Sequence, residues 1–556
     1  MKSRHSGLPR SSSDAKVSSV VRNFDESEEK TSFLRSQLYR SWWKSGTLYT
    51  VLSGILITGV AVFFFSTLRE GHKWDGDYAL YIMHARNIAE GLPYADTGFI
   101  PDPTKPIHPA SYPPGLPLLL TPIYLFSGLD LEKMKMVGVS SFILFLLIFS
   151  HIMRQSLPWA IALTVTAIVG LHPYFWHFKD TIFSEFPFML FCYATLYSID
   201  NLTKINASPK LWFIFVSAIL LALACLTRLI GLFILFPTIF LIGVYQSRRL
   251  VNPCILILAI GGAIIFLATL AFPQDLAYDP FSDQDSTNFS ILVSLKENII
   301  AYADAVRRLV VFAGGSNGVA HSVFGENWLT HLVPLAFFLL VLVGVISRSW
   351  VDLSIYEIFV SGYTLFLVAY PIRGETFRYL LPIWPLLLFY VVYGTYAVGS
   401  RVGRIWPSVL PAMLCSAFFS LYVAQYAKTD FGSIPYSVTD PTSRELFNNI
   451  KTKLPADAVL LFWKPTIMAL FTDRRAAIWP DHFKDDALWR YMNDIEARYI
   501  VNMKGDLSTA KSSNEDRELQ AFIERNQSAL RLLFSNKWFN LYQISTDHIS
   551  WHQKTR

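Results

Sequence analysis

Long apolar runs broken by short polar or basic segments dominate residues 47–426. A helix needs roughly 20 apolar residues to cross a bilayer. The first such run is Thr47–Leu68. Further runs at 181–200, 211–226, 229–246, 254–272, 331–347, 353–370, 380–399 and 406–424 alternate consistently: Lys204, Arg248, Arg249, Arg348, Arg401 and Arg404 fall at their inner ends, where membrane topology puts basic residues. Between the first span and residue 180 lie three apolar segments, 113–128, 136–153 and 158–176. If all three crossed, the orientation would disagree with the C-terminal half. Segment 113–128 is short and carries Pro113, Pro114, Pro117 and Pro122, so it is expected to be short or re-entrant. About 11 full spans remain.

The flanks read differently. Residues 1–46 are rich in Ser, Lys and Arg and lack an apolar core, which fits a disordered cytoplasmic tail and not a signal peptide. A positive tail kept inside places residues 69–112 outside, and the same alternation makes 273–330 a second outer loop. After Tyr426 the pattern turns charged and mixed. Strand-like runs occur at Ala458–Trp463 and Tyr499–Asn502, and helical spacing at Glu515–Asn526. The expected fold is mainly α: a polytopic transmembrane bundle over 47–426, with an extracytoplasmic soluble α/β domain over 427–556.

Composition narrows the function. With 52% hydrophobic and only 16% charged residues, the chain is far from the ~25% charged average of soluble domains. A soluble enzyme, a disordered protein and a nucleic-acid module are excluded. The net charge of +6 comes from basic residues at the ends of apolar segments, so it is a topology signal and not a nucleic-acid footprint. Cys192, Cys225, Cys254 and Cys415 lie inside apolar stretches with no metal-binding spacing.

Candidate chemistry gathers at segment ends. Tyr78, Tyr81 or Ile82, Ala85 and Ile88 recur at helical spacing, which predicts an amphipathic helix on the membrane surface with Asp77 at its start. Asp77 there reads either as a helix cap or as a reactive carboxylate. Glu185 lies one turn into an apolar span; it reads as a functional group facing a cavity or a partner, or else as a carboxylate that pairs with Lys179 or snorkels to the interface. Two carboxylates could activate a hydroxyl nucleophile. Arg228 interrupts the apolar stretch 211–246 at an expected outer turn, and Arg373 and Arg378 flank Glu375 in another. A guanidinium suits phosphate in a low-dielectric setting. Contact with lipid headgroups is the plainer reading of these arginines.

The stretch Gly76-Asp77-Tyr78, Tyr81, Ala85-Arg86-Asn87 and Gly91-Leu92-Pro93-Tyr94 resembles the first outer loop of GT-C membrane glycosyltransferases. So do Tyr112-Pro113-Pro114-Gly115, Ser184-Glu185-Phe186-Pro187, Leu226-Thr227-Arg228, Arg378-Tyr379-Leu380-Leu381-Pro382 and the C-terminal Trp463-Lys464-Pro465 and Thr472-Asp473-Arg474-Arg475. Within that class the chain is most similar to bacterial enzymes related to protein O-mannosyltransferases and lipid A aminoarabinose transferases. The resemblance implies transfer of a sugar from a polyprenyl-phosphate donor to a glycan, lipid or protein acceptor, on the outer face of the bacterial cytoplasmic membrane. It implies that Asp77 activates the acceptor, with Glu185 as the second catalytic carboxylate. Arg228, Arg373 and Arg378 would meet the phosphate, with Asp75, Tyr81 and Tyr379 as further substrate-binding positions. Gly76 separates Asp75 from Asp77, unlike the adjacent acidic pair of many relatives, and the resemblance to mannosyl- and aminoarabinosyl-transferases implies catalysis without a metal, with a divalent ion as the alternative found in oligosaccharyltransferases of the class.

Two other readings compete. A transporter or flippase of a lipid-linked sugar would use the same membrane charges, but would not need the C-terminal domain. A lipid-linked oligosaccharide ligase or polymerase is chemically close. The triplets Asn288-Phe289-Ser290 and Asn526-Gln527-Ser528 match glycosylation sequons but arise by chance as well.

Overall fold

The computed structural model describes residues 46–102, 108–204, 209–244, 248–273, 291–312, 328–369, 376–480, 483–504 and 514–545. The N-terminal tail, Arg373, Glu375 and the Asn288 sequon lie outside these.

The membrane part begins with α1 (Gly46–Ser66), followed by α2 (Asp77–Glu90) and α3 (Gly115–Ser127). Then come α4 (Leu131–Ser156), α5 (Trp159–Gly170), α6 (Pro173–Phe178), α7 (Glu185–Lys204) and α8 (Leu211–Thr227). A 3₁₀ turn at Leu229–Ile234 leads into α9 (Leu235–Val244), α10 (Arg248–Ala271), α11 (Ile291–Val311), α12 (Trp328–Val351) and α13 (Ile355–Ala369). Short α14 (Thr376–Leu380) precedes α15 (Trp384–Val402) and α16 (Trp406–Tyr426). Among the described residues, six helical segments are long and apolar enough to cross a membrane, and four shorter apolar ones accompany them. The chain is an integral membrane protein. Among the described spans, helices α7 and α15 are largely enclosed. Most of their residues are buried, with α7 packed on α4 and α8, and α15 on α12 and α16.

Proline sets several breaks. Segment 158–176 is two helices, because Pro173 starts α6 and His172 caps it, accepting the Tyr174 amide at 3.1 Å. Segment 113–128 forms the 13-residue α3 with Pro122 inside it, in keeping with the expected short element. Residues 273–330, expected as a loop, contain the 21-residue α11. Its charges Asp304, Arg307 and Arg308 pair with one another along one helix face, so the apolar face can pack.

The C-terminal part holds α17 (Pro441–Lys453), β2 (Val459–Leu461), α18 (Pro465–Thr472), β3 (Arg475–Ala477), α19 (Asp485–Asp494), β4 (Tyr499–Met503), α20 (Asn514–Arg525), β5 (Leu530–Ser535) and β6 (Phe539–Ile544). With β1 (Phe99–Ile100) from the membrane part, its sheet has six strands in the order β1-β3-β2-β4-β6-β5. Strand β1 comes from the segment after α1 and pairs in parallel with β3, Phe99 opposite Ala476. The same segment is held again at Trp74, whose ring meets those of Phe447, Phe462, Trp463 and Phe539 at 5.8–6.2 Å.

This double clamp corrects the surface-helix expectation for α2. Its residues Tyr78–Ala85 and Asn87 are buried, packed against α3 on one side and α18 on the other. Most of the helix, including the polar His84 and Asn87, is covered by protein, and Glu90 at its end stays exposed. A buried ion cluster ties the start of the same segment to α6: the Arg69 Nε donates to Asp180 Oδ2 at 2.7 Å, and Lys179 Nζ donates to Asp180 Oδ1 at 2.9 Å and to the Thr67 carbonyl at 2.6 Å. Lys135 Nζ donates to the Arg69 carbonyl at 2.7 Å.

Candidate active site

Four charged side chains from four elements meet in one chain of contacts. Arg378, on α14, donates from Nη1 to Asp77 Oδ2 at 2.8 Å and from Nε to Glu185 Oε1 at 2.7 Å. Arg228 Nη1 lies 2.7 Å from the same Glu185 oxygen and donates to Ser184 Oγ at 3.1 Å. The residues are up to 301 positions apart in sequence.

Each is presented for a local reason. Asp77 is the first residue of α2, but Gly76 is its N-cap and no side chain caps the helix. Asp77 therefore faces Arg378 instead of its own backbone, which removes the capping interpretation. Glu185 opens α7 and is fully buried. Its Oε2 is buried with no hydrogen bond among the described residues. Lys179 is held by Asp180, so Glu185 pairs with arginines and not with that lysine. Arg228 follows α8 in an extended conformation (φ −149°, ψ 135°), which turns the chain and swings its side chain back to Glu185. Gly115 permits this arrangement: a Cβ there would lie 2.6 Å from the Thr227 amide nitrogen, so only glycine lets α3 approach the turn. The Arg378 guanidinium also lies over the Phe183 ring at 4.2 Å, and that of Arg228 over the Tyr379 ring at 5.5 Å.

Asp77 Oδ1 has its own partners. Tyr112 Oη donates to it at 3.1 Å and His108 Nδ1 lies 3.2 Å away. Burial pushes the Asp77 carboxyl up, but the Arg378 charge and the His108 contact outweigh burial and hold it well below the usual carboxylate range. Burial, the Asp77 charge and the nearby carboxylate of Glu185 raise the Tyr81 phenol, while Arg228 and a contact at 3.3 Å to Ser184 Oγ oppose them. The Tyr81 ring is 4.6 Å from that of Tyr112. Asp77 and Arg378 keep 19% and 14% of their side chains exposed.

Two neutral histidines brace this region. His84 accepts the Tyr112 amide at Nε2 (3.2 Å) and its Nδ1 lies 2.9 Å from the Tyr94 carbonyl. His72 accepts the Ile182 amide at Nε2 (3.2 Å), with Nδ1 2.9 Å from the Lys73 carbonyl. An imidazole that accepts at one nitrogen and donates at the other is uncharged. Burial lowers His72 to about 3 and His84 to about 4. His84 thus fixes the backbone of Tyr112, and His72 the backbone just before Ser184 and Glu185.

Of the positions expected from sequence, Asp77, Glu185, Arg228 and Arg378 come together, and Tyr81 and Tyr379 line them. Asp75 is half-buried outside this chain of contacts. Sequence reading missed His108, Ser184 as a ligand of Arg228, and the bracing roles of His72 and His84. Among the described residues, no three His, Cys, Asp or Glu side chains gather in a way that could hold a metal.

No family model and no curated protein matches the chain. Solved structures do. ArnT from Cupriavidus metallidurans, in the apo state, aligns with a TM-score of 0.52 at 10% identity, over 90% of this chain and 98% of that one. The apo oligosaccharyltransferase of Archaeoglobus fulgidus aligns at 0.52 and 12% identity, over 83% of this chain and 70% of that one. The oligosaccharyltransferase AglB from the same archaeon, in complex with an inhibitory peptide and a dolichol-phosphate, aligns at 0.51 and 13% identity, again over 83% and 70%. The chain has the GT-C glycosyltransferase fold. In this GT-C fold the four-residue charge chain sits where the segment after α1, the start of α7, the α8 turn and α14 converge.

Proposed function

We propose that the protein transfers a sugar from a polyprenyl-phosphate carrier to an acceptor hydroxyl. The observation that carries this reading is the chain Asp77–Arg378–Glu185–Arg228: an accessible carboxylate held next to two guanidiniums that share one buried carboxylate. The fold supports it: the chain aligns with ArnT and with AglB, an oligosaccharyltransferase whose structure holds a dolichol-phosphate.

The chemistry needs three things of the protein: a base, a clamp for the leaving phosphate, and alignment. Asp77 takes the proton of the acceptor hydroxyl. The acceptor oxygen attacks C1 of the sugar, the C1–O bond to phosphate breaks, and its electron pair leaves with the phosphate. A single displacement inverts the anomeric centre. Arg378 and Arg228 meet the phosphate oxygens, and Glu185 holds both arginines at the correct place. While Arg378 rests on Asp77 it weakens that carboxylate as a base. When the phosphate draws the guanidinium toward itself, the depression is relieved, so donor binding makes Asp77 more basic. No metal is required in this scheme. The site faces the outer side of the membrane, in keeping with the basic residues at the opposite helix ends, and we place the protein in a bacterial cytoplasmic membrane.

The test is purified protein in nanodiscs with a polyprenyl-phosphate-linked sugar and a hydroxyl acceptor. Release of polyprenyl phosphate with formation of the inverted glycoside supports the reading. Movement of the intact donor across the bilayer with no bond cleavage would instead show a flippase.

A further inference from the structure

We propose that His108 is a positioning residue for Asp77, and that position 76 is glycine in order to admit it. The inference rests on the transfer reading above, in which Asp77 is the reacting carboxylate. His108 lies with Nδ1 3.2 Å from Asp77 Oδ1, and only 9% of its side chain is exposed. The phenol of Tyr112 donates to the same oxygen and Arg378 to the other. A carboxylate offers about four lone-pair sites. Among the described residues three are taken by these donors, which leaves one on Oδ2 for an acceptor hydroxyl. Fixing Oδ1 with two donors stops the carboxylate from rotating and so decides from which direction the hydroxyl is received.

Gly76 is what lets the imidazole reach Oδ1. Its backbone is ordinary right-handed helix (φ −73°, ψ −30°), so no conformational demand calls for glycine there. Space does. A Cβ at position 76 would lie 2.1 Å from His108 Nε2 and 2.7 Å from Cε1, against the 3.5–4.0 Å of a normal contact between carbons. Phe99 packs edge-on against the same ring, with ring centroids 6.1 Å apart. Gly76 itself is held: Thr466 Oγ1, at the start of α18, donates to its carbonyl at 3.0 Å. The C-terminal domain thereby fixes the backbone that the imidazole packs against. His108 acts through Asp77 and touches no reacting atom.

The test compares four variants for transfer rate, donor KM and melting temperature. His108→Leu removes the N–H. Gly76→Ala keeps the imidazole but displaces it. His108→Asn keeps a donor at the position of Nδ1 and lacks the Cε1 and Nε2 atoms that a side chain at 76 would strike. Where the energy of a hydrogen bond to a charged group falls on the barrier, its loss is about a ten- to hundredfold change in rate. His108→Leu and Gly76→Ala should each lower kcat by about that factor with donor KM little changed. His108→Asn should stay within a few-fold of wild type. The double variant Gly76→Ala with His108→Asn should recover to the level of His108→Asn alone. Gly76→Ala at the wild-type rate, or a double variant no faster than Gly76→Ala, overturns the role of His108 and leaves the transferase reading standing. Absence of transfer by the wild-type protein overturns both.

Discussion

Replacing Asp77 by asparagine tests the centre of the reading. The change keeps size and shape, and Asn caps helices as well as Asp, so a cap would tolerate it. Asp77 makes no capping bond, so that argument does not protect the variant. The amide has one acceptor oxygen and one donor nitrogen. If the oxygen keeps Tyr112 and His108, the nitrogen faces Arg378 Nη1, donor against donor at the 2.8 Å site; if it flips, it faces the other two donors. Either way a partner of the carboxylate is lost, at about 1.5–3 kcal/mol for a charged hydrogen bond. That should appear as a modest fall in melting temperature, since both side chains are partly exposed and water can replace the partner. The loss in catalysis is larger. Removing a general base costs about 10²–10⁴-fold, or about 3–5 kcal/mol of barrier. The assay is sugar transfer by purified protein in nanodiscs, beside donor binding and a melting curve. Asp75→Asn is the internal control and should be mild, since Asp75 stands outside the charge chain. Near-wild-type transfer by Asp77→Asn would refute the assignment and move the base to Glu185.

Arg378→Ala should cut donor use by about ten- to a hundredfold, and Arg378→Lys should recover little, because a point charge cannot hold Asp77 and Glu185 at once; equal donor kinetics in a folded Arg378→Ala protein would remove it from the site. Glu185→Gln leaves two buried guanidiniums without their shared anion, so destabilisation of about 3–5 kcal/mol is expected, and an unchanged melting temperature would show that the pair is not structural. His72 and His84 are neutral when folded, at about 3 and about 4, and take up protons on unfolding near 6.5, so stability falls as pH drops through 6.5, by about 2 kcal/mol for each by pH 5. A melting temperature in detergent that is flat between pH 7 and pH 5, or a fall unaffected by His84→Asn, would contradict it. Transfer should survive a chelator, because Arg378 already neutralises the carboxylate a metal would need; loss of activity restored by a divalent ion would refute this.

The charged members of the site were legible because charge inside an apolar run is costly and has to be explained. Glu185 and Arg228 stand out on that ground, and Arg378 as a cation just ahead of an apolar span. Their pairing was not legible: nothing local connects Asp77 to Arg378, and only the packed bundle brings them within 2.8 Å. His108 sits in a polar stretch without periodicity, so its only sequence signal was proximity to the Tyr112-Pro113-Pro114-Gly115 motif. The two-residue strand β1 is too short for any pattern, yet it joins the segment after α1 to the C-terminal sheet. The surface-helix expectation for α2 failed because periodicity reports that a helix has two faces, not what covers the second one. Here α18 covers it. The helix inside 273–330 was hidden for the opposite reason. Alternation assigns the stretch only a side of the membrane and is silent on its helix, whose charges pair internally, as Arg307 does with Asp304.

The C-terminal domain bears on the choice between transfer and transport. A rocking transporter needs its binding site to form between parts that move against each other. Here the segment carrying Asp77 is held on both sides of that residue by the C-terminal domain: upstream by Trp74 in an aromatic cluster, and downstream by β1 in the sheet. A third tie is Thr466 on the Gly76 carbonyl, and a fourth is the ion pair between Arg86 and Asp473 at 2.9 Å. Such anchoring is costly for an element that must swing through the membrane. It suits an element that must keep one carboxylate within tenths of an ångström of a fixed line of attack, where a misplacement of about 1 Å can cost a hundredfold in rate. Loosening the anchor without touching the charges separates the two cases. Trp74→Ala should lower kcat for transfer while leaving donor affinity near wild type, because Arg228 and Glu185 stand on other elements. A transporter would respond the other way, with faster or unaltered movement of the donor, and that result would count against the transferase.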